Sequence, residues 1–401
     1  MGWNRKSCIK AALAACMALS LAVSEASAAP RTEPFYLGVD ISGRSTQSEA
    51  GRMNLLNTLK AHGVNSVRLR TFVDPTAEDG YSKAGACGLD ATIAFAKQVK
   101  AAGMHFLLDF HYSDNWADPG KQCVPMAWQK YTTITEMAAA LHDYTKDAIT
   151  KLVAAGARPD MVAIGNETTP GMCIHKCGAG GKPAGTNPVN GSTSNWANLG
   201  ALLKAGVDAT HEVDPTIVTS FHIAQGGDHT SGAGALSNSV NWLTNALKYS
   251  TVDAFGESSY FSYQGDKSSE ANSKASWTKV ETGLVEKFPK VKIYAAEIGG
   301  FERAINDVNF NLPNQMGIGT YFWEATMNAT WNQGPLLTGS GGNYTWVPAK
   351  ATMYDKMVED YGLKLIPAGI APKENILKAD SRGRLRMLSA GNAVLFGIPD
   401  P

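Results

Sequence analysis

The feature that most constrains the fold of this chain is a repeated unit of an amphipathic helix, a glycine and an apolar strand. Helices that end at a glycine and lead into short runs rich in Val, Ile and Leu are typical of parallel βαβ units. Three early units have this form: residues 46–62 with Gly63 and VNSVRLR, residues 90–102 with Gly103 and MHFLLDF, and residues 133–155 with Gly156 and MVAIGNE.

The same pattern continues along the chain and predicts a closed barrel. Helical segments such as 194–212 and 270–287 separate most of the apolar runs. Eight strands of this kind favour a (β/α)8 TIM barrel over a doubly wound sheet. No GxGxxG motif follows the first strand, which argues against a dinucleotide-binding fold. The candidate strands lie near 36–40, 65–70, 104–110, 161–165, 217–222, 252–256, 291–296 and 317–323.

The N-terminal segment has the pattern of a secretory signal peptide. Basic residues precede an apolar run at 11–23, and a small-x-small cleavage motif ends at Ala28. We therefore predict a signal peptide over 1–28 and a secreted protein. The tetrapeptide Leu13-Ala14-Ala15-Cys16 resembles a lipoprotein box, so a lipid-anchored or periplasmic form stays open.

The rest of the chain is predicted to form one catalytic domain and a short C-terminal element. A single (β/α)8 barrel accounts for residues 29–363. Residues 171–193 are rich in Gly, Pro, Asn and Lys and are predicted to be a long loop. Residues 364–401 are interpreted as a small β-like appendage or a processed tail. No stretch after the signal is apolar enough to span a bilayer.

The charge balance bears on whether the chain binds nucleic acid, and the cysteine content bears on whether it forms disulfides. The chain carries 36 basic and 36 acidic residues, and no basic patch indicates nucleic-acid binding. Four cysteines follow the signal, and an even number in a secreted chain favours disulfides. The preferred pairs are Cys173–Cys177 and Cys87–Cys123. A metal clip of Cys173, Cys177 and His175, joined by His111, is the alternative.

Polar residues at the C-terminal ends of the predicted strands define one candidate site, because parallel barrel strands end at a common rim. Glu167 and Glu297 each end a short apolar run, and two such carboxylates suggest the acid/base and nucleophile of glycoside hydrolysis. Neither a GxSxG elbow nor an HExxH motif occurs. The rim residues include Arg68, Arg70, Asp109, His111, Trp116, Asn166, Glu167, His222, Tyr260, Glu297, Trp323 and Glu324.

Several motifs resemble those of glycoside hydrolase family 53, the endo-β-1,4-galactanases. The resemblance is carried by LGVDIS, VNSVRLR, AGMHFLLDFHYSDNWADPGKQ, MVAIGNE, YAAEIG and TYFWEA, and it covers about residues 36–362. It implies a retaining enzyme in which Glu167 is the acid/base and Glu297 the nucleophile. It also implies that Asn166 contacts the sugar 2-hydroxyl, and that Arg70 and Tyr260 keep Glu297 ionised.

The resemblance further implies that His111, His222 and Trp323 belong to the sugar site. Other rim residues keep two interpretations from the sequence. Trp116 stacks on sugar or anchors a loop, and Asp109 binds substrate or braces His111. The histidines and glutamates lack a compact metal-ligand motif, so no metal and no cofactor are expected.

The favoured function is therefore a secreted retaining endo-glycosidase that cleaves β-1,4-galactan or arabinogalactan, acting as a monomer. A β-mannanase or β-glucanase on the same barrel is an alternative within the enzyme class. A barrel that binds glycan without cleaving it is the alternative from another class. Only about twenty residues separate Glu297 from the eighth strand, which predicts an open cleft on that side.

Overall fold

The computed structural model describes residues 31–224, 234–260, 269–367, 376–379 and 385–388. The chain divides into two compact units, Met1–Pro34 and Phe35–Pro401, and the elements below belong to the second. The predicted signal peptide lies outside the described residues. Among the described residues, no helix combines the length and the apolar composition needed to cross a bilayer.

Eight of the described strands are parallel and close into a barrel. The described strands are β1 Tyr36–Asp40, β2 Ser66–Thr71, β3 His105–Phe110, β4 Met161–Ala163, β5 Gly171–Met172, β6 His175–Gly178, β7 Lys182–Thr186, β8 Gly191–Ser192, β9 Val218–Ile223, β10 Ala254–Tyr260, β11 Lys292–Gly299, β12 Gly317–Trp323, β13 Leu337–Ser340, β14 Asn343–Trp346, β15 Ile376–Ala379 and β16 Leu385–Leu388. The spatial order around the barrel is β1, β12, β11, β10, β9, β4, β3, β2. Every barrel strand therefore lies beside its nearest barrel neighbours in sequence, and β1 pairs with β12 to close the ring.

Helices follow the barrel strands, so the predicted (β/α)8 fold is confirmed. Thr133 and Glu136 form the predicted capping box at the start of the helix Ile134–Ala154. The sequence pattern predicted no bounds for the helices that begin at Gly234, Glu302 and Pro348. The described helices are α1 Glu49–Lys60, α2 Leu89–Ala101, α3 Ile134–Ala154, α4 Trp196–Val213, α5 Gly234–Ala246, α6 Glu270–Lys287, α7 Glu302–Phe310 and α8 Pro348–Asp360.

Two apolar clusters hold the barrel together. The larger cluster lies between the strands and the surrounding helices, where alternate strand residues meet helix faces. The smaller cluster fills the inside of the barrel below the rim. It contains Leu107, Met161, Ala163, Ala254, Tyr294, Ala296, Ile318 and Tyr321. A Cβ at Gly38 would lie 2.4 Å from the Tyr321 ring, so this glycine makes room for the filling.

The long connection after β4 is more ordered than the sequence predicted. Residues 171–193 were expected to be a loop, but they form two small antiparallel sheets, β5 with β8 and β6 with β7. Near the C-terminus, β15 and β16 pair as an antiparallel hairpin within the segment interpreted as an appendage. The connection from β11 to α7 is very short, because only Gly300 and Phe301 lie between them.

Candidate active site

The two candidate glutamates face each other at the C-terminal rim of the barrel. Glu167 follows β4 in the left-handed backbone region, with φ of 46°, and Glu297 lies within β11. One carboxylate oxygen of each lies within 4.8 Å of the other and of a His222 ring nitrogen. A register shift after Glu257 pairs Ser258 of β10 with Glu297, which sets these side chains at one level.

Glu297 is held by two donors that favour its ionised form. The Arg68 guanidinium lies 2.9 Å from Oε1, and the Tyr260 hydroxyl donates to Oε2 at 2.9 Å. The expectation for Tyr260 therefore agrees with the geometry, whereas the expectation that Arg70 pairs with Glu297 is wrong. Arg68 and Arg70 have the same side-chain parity, but Arg68 lies one layer deeper and reaches β11 across the barrel.

Arg68 is the hub of a buried polar network. It pairs with Asp40 at 3.1 Å and with Asp109 at 2.8 Å, and it donates to the Asn166 side-chain oxygen at 2.6 Å. Asn166 in turn donates to the Ala117 carbonyl at 3.0 Å. A fully buried guanidinium needs such acceptors on every side, so its position and that of Glu297 are tightly fixed.

Arg70 belongs to a neighbouring ion pair. Its Nη1 lies 3.3 Å from Asp40 and 3.1 Å from Glu324, which follows β12. Its guanidinium also lies 4.3 Å from the Trp116 ring centre and 5.2 Å from that of Trp323. Arg70 therefore orders the two tryptophans, which stand partly exposed beside the glutamate pair.

Glu167 is linked to His222 through a serine. The Ser258 hydroxyl donates to Glu167 Oε1 at 2.6 Å, and His222 Nε2 lies 2.9 Å from Ser258 Oγ. The backbone N–H of Glu167 points at His222 Nδ1 at 3.4 Å. These contacts form one consistent chain if His222 is neutral with its proton on Nε2. Burial agrees, since it lowers the pKa of His222 well below its usual value.

The environments of the two carboxyl groups separate their roles. Burial raises the pKa of Glu167 above its usual value. Burial and the nearby Glu167 also raise the pKa of Glu297, while Arg68 lowers it. Two carboxylates this close share a proton near neutral pH. The proton belongs on Glu167, because Glu297 already contacts a guanidinium and accepts from a phenol.

The remaining expected site residues surround this pair. His111 lies 3.2 Å from Asp109, and its Nδ1 accepts from the Ala117 N–H at 3.1 Å. Asp109 thus braces His111 as well as Arg68, which supports the bracing interpretation left open by the sequence. The ring centres of Trp116 and Trp323 lie 5.9 Å apart, so the two side chains form one aromatic wall.

Glu167, His222 and Glu297 are also the described residues that could together ligate a metal. Their atoms are already engaged, because His222 uses both ring nitrogens and Glu297 carries the Arg68 guanidinium. A cation placed among them would meet that positive charge. The geometry suits proton transfer, and the expected absence of a metal stays a prediction.

Comparison with known proteins assigns the family. The family model described as glycosyl hydrolase family 53 matches residues 36–281 of this chain.

This chain belongs to glycosyl hydrolase family 53.

Membership of family 53 makes the chain a glycoside hydrolase, and its relatives agree. An arabinogalactan endo-beta-1,4-galactanase of Thermothelomyces thermophilus is 33% identical over 327 residues, 72% of this chain and 89% of that protein. An uncharacterized protein of Niallia circulans is 39% identical over 208 residues, 50% of this chain and 53% of that protein. A solved fungal beta-1,4-galactanase shares the fold, with a TM-score of 0.62, 24% identity and coverage of 80% and 99%.

The disulfide of this family 53 chain differs from the expected pairing. Cys123 bonds to Cys177, whereas Cys87 and Cys173 are buried free thiols. The predicted pairs Cys173–Cys177 and Cys87–Cys123 are therefore wrong. The backbone explains the change, because the Val124 N–H donates to the His175 carbonyl and brings Cys123 beside β6. Cys87 instead packs against Ser42, with Sγ 3.3 Å from its carbonyl oxygen.

Four residues of the candidate active site were either not predicted from the sequence or, like Glu324, predicted only as rim residues without a role. Asp40 ends β1 and Glu324 follows β12, so the position of each at a strand end could have identified it as a site residue. Ser258 reaches Glu167 only because the register of β10 shifts. Gln122 lies in a connection between elements and contacts the backbone behind Glu167. No spacing in the sequence marks Ser258 or Gln122.

Proposed function

We propose that this chain is a secreted, monomeric, retaining endo-glycosidase that hydrolyses β-1,4-galactosidic bonds in galactan and arabinogalactan. The name of the Thermothelomyces relative supports the substrate class. The observation that carries the mechanism is the closeness of Glu167 and Glu297, whose nearest oxygens lie within 4.8 Å. Retaining enzymes hold their two carboxyl groups about 5–5.5 Å apart, whereas inverting enzymes leave room for a water between them.

In the first step, a carboxylate oxygen of Glu297 bonds to the anomeric carbon while the bond to the leaving sugar breaks. Glu167 gives its proton to the departing glycosidic oxygen. Arg68 and Tyr260 hold Glu297 ionised and aimed, so the nucleophile needs no proton removal first. The Ser258 hydroxyl occupies Oε1 of Glu167, which leaves Oε2 to carry the proton.

In the second step, water replaces Glu297 at the anomeric carbon. Glu167 is now ionised and takes a proton from that water, so the same group serves as base. The raised pKa of Glu167 suits a group that must both give and take a proton near neutral pH. Trp116 and Trp323 offer aromatic faces for the apolar faces of sugar rings.

The test is digestion of a panel of galactan, arabinogalactan, β-mannan and β-glucan by the full chain, with the products sized. We expect depolymerisation of the two galactans and none of the others. Glu297→Ala is the matched inactive variant, and unchanged thermal unfolding shows that it is folded. Cleavage of mannan or glucan instead of galactan would overturn the substrate assignment. Full activity of Glu297→Ala would overturn the mechanism.

A further inference from the structure

Gln122 lies directly behind the acid/base candidate. It is 2% exposed and sits in the connection that leads from β3 to α3. Its side-chain amide donates to the carbonyl of Asn166 at 2.8 Å and to that of Glu167 at 3.2 Å. A third contact, at 3.2 Å, goes to the carbonyl of Ala117. One amide therefore ties the backbone of the β4 rim to the connection after β3.

The backbone at Glu167 needs such support. With φ of 46° it lies in the left-handed region, which residues other than glycine adopt at an energetic cost. The surroundings must therefore hold this conformation in place. His222 meets the Glu167 N–H on one side, and Gln122 meets its carbonyl on the other.

Gln122 is itself held by the segment that returns from Glu167. Its backbone is also left-handed, with φ of 35°, and its carbonyl accepts from the N–H groups of Ile174 at 2.7 Å and His175 at 3.2 Å. On the far side, the Val124 N–H donates to the His175 carbonyl at 2.8 Å. The two segments thus pair along residues 122–124 and 174–175.

The Cys123–Cys177 disulfide fastens this pairing. Cys123 follows Gln122 directly, and Cys177 lies in β6, so the bond joins two connections 54 residues apart in sequence. Both half-cystines belong to the segments that hold Gln122. The disulfide therefore joins the two segments whose backbone groups contact Gln122.

We propose that Gln122 is a positioning residue for Glu167, and that the Cys123–Cys177 disulfide acts on catalysis through Gln122. This inference rests on the proposed role of Glu167 as the acid/base. Gln122 and Cys123 are buried, and their effect is to keep the Glu167 carboxyl aimed at the glycosidic oxygen. Loss of either weakens proton donation to the leaving group and spares the attack by Glu297.

The readout that isolates proton donation is the dependence on the leaving group. An activated aryl group, such as 2,4-dinitrophenol, departs with little acid help, whereas a sugar hydroxyl needs it. We therefore compare 2,4-dinitrophenyl β-1,4-galacto-oligosaccharides with galactan. In Gln122→Met, which keeps the bulk and removes the donors, kcat/KM on galactan should fall by about 10- to 100-fold. The aryl substrate should change by no more than about 3-fold.

Three comparison variants make the outcome decisive. Gln129 lies seven residues after Gln122 in the same connection and is partly exposed. The Gln129→Met variant should therefore match the wild type on both substrates. Cys123→Ser/Cys177→Ser should lose galactan activity selectively, as Gln122→Met does. Adding Gln122→Met to that pair should cause no further selective loss if the disulfide acts through Gln122. Additive losses would overturn the shared route.

Equal losses on both substrates in Gln122→Met, or no loss on either, would overturn the positioning role. Glu167→Ala is measured alongside to separate this inference from the proposed function. If Glu167→Ala shows no leaving-group dependence, the acid/base assignment fails. If Glu167→Ala shows it and Gln122→Met does not, only the role of Gln122 fails. The aryl substrate also reports correct folding of each variant.

Discussion

The Arg68 guanidinium lies 2.9 Å from the Glu297 carboxylate and simultaneously contacts Asp40, Asp109 and Asn166. One arginine on β2 thus joins residues of β1, of β3 and of the connection after β4 to the candidate nucleophile. Each acceptor limits where the guanidinium can lie. The ionised state and the direction of Glu297 therefore depend on a network that no single strand supplies.

Arg68→Lys should lower kcat/KM on galactan by about 10²- to 10³-fold, since a lysine cannot reach all of these acceptors. With its positive partner displaced, the pKa of Glu297 rises, because Arg68 is what lowers it. Activity requires ionised Glu297, so the acidic limb of the pH–rate profile should move to higher pH. Arg70→Lys, which contacts Glu324 instead, is the control. A moved limb in Arg70→Lys alone would contradict the assignment.

Azide should distinguish the two glutamates by the stereochemistry of the product. In Glu297→Ala the site left by the nucleophile admits azide, which attacks an activated aryl galactoside and gives the α-azide. In Glu167→Ala the glycosyl-enzyme still forms with a good leaving group, and azide then releases the β-azide. Nuclear magnetic resonance of the products reads the configuration. The same anomer from both variants would refute the division of roles.

Glu281 should make the protein less stable as the pH rises. It is buried in α6 and accepts from Asn309 at 2.9 Å, and burial raises its pKa to about 8. The unfolded chain releases this proton near pH 4.5, the ordinary value for this group. Between these two pH values the folded state binds more protons, so its contribution to the free energy of unfolding falls by about 1.4 kcal/mol per pH unit.

Glu281→Gln should therefore flatten the decline of stability between about pH 5 and pH 8, measured by urea unfolding across that range. Glutamine keeps an oxygen for Asn309 and cannot ionise. Glu286→Gln, an exposed position on the same helix, is the matched control and should leave the slope unchanged. An identical slope in wild type and Glu281→Gln would show that this carboxyl does not ionise on unfolding.

The short connection after β11 should make cleavage internal. Gly300 and Phe301 alone separate β11 from α7, so this part of the rim builds no wall beside Glu297. Long galactan should lose viscosity before small sugars accumulate, while galactobiose and galactotriose are hydrolysed poorly, because remote sugar contacts supply transition-state stabilisation. Release of galactose from the outset at nearly constant polymer size would contradict an open cleft.

Thiol counting tests the disulfide and the signal peptide together. The described residues contain one bridge and two buried free thiols, Cys87 and Cys173, while Cys8 and Cys16 lie in the predicted signal. Alkylation of the unfolded, unreduced secreted protein should add two labels, and the folded protein should react slowly. Four labels would mean that residues 1–28 are retained or that the bridge is absent, and an intact mass separates these two cases.

The barrel could be predicted from the sequence because each strand is recognisable from its own short segment of apolar residues. Most predicted strands, such as the one ending at Phe110, lie within a residue or two of the observed strands, since burial on both faces leaves little choice of residue type. Strands β10 and β11 extend four and three residues beyond their predicted ends. Glu167 and Glu297 were predicted to meet at the rim because the C-terminal ends of parallel barrel strands lie on the same side of the barrel. Their separation in sequence did not matter.

The ion-pair partner of Glu297 and the disulfide partner of Cys177 were not predictable, because both depend on contacts between segments distant in sequence. Arg68 and Arg70 have the same local pattern, and only the depth of each in the ring decides which one reaches Glu297. The disulfide shows the same limit. Cys173 and Cys177 are close in sequence, yet the pairing of residues 122–124 with 174–175 brings Cys177 to Cys123.

The closure of the ring through β1 and β12 also bears on how the chain is made. Five residue pairs, from Tyr36 with Gly319 to Asp40 with Trp323, join the first strand to the last. During synthesis β1 leaves the ribosome early, but the edge that pairs with β12 stays unpaired until almost the whole domain has been translated. Unpaired strand edges invite aggregation, and contacts this distant in sequence form slowly. A nascent chain that stalls before Gly317 has open edges at both β1 and β11, which makes it a client for chaperones or proteases rather than a partly active enzyme.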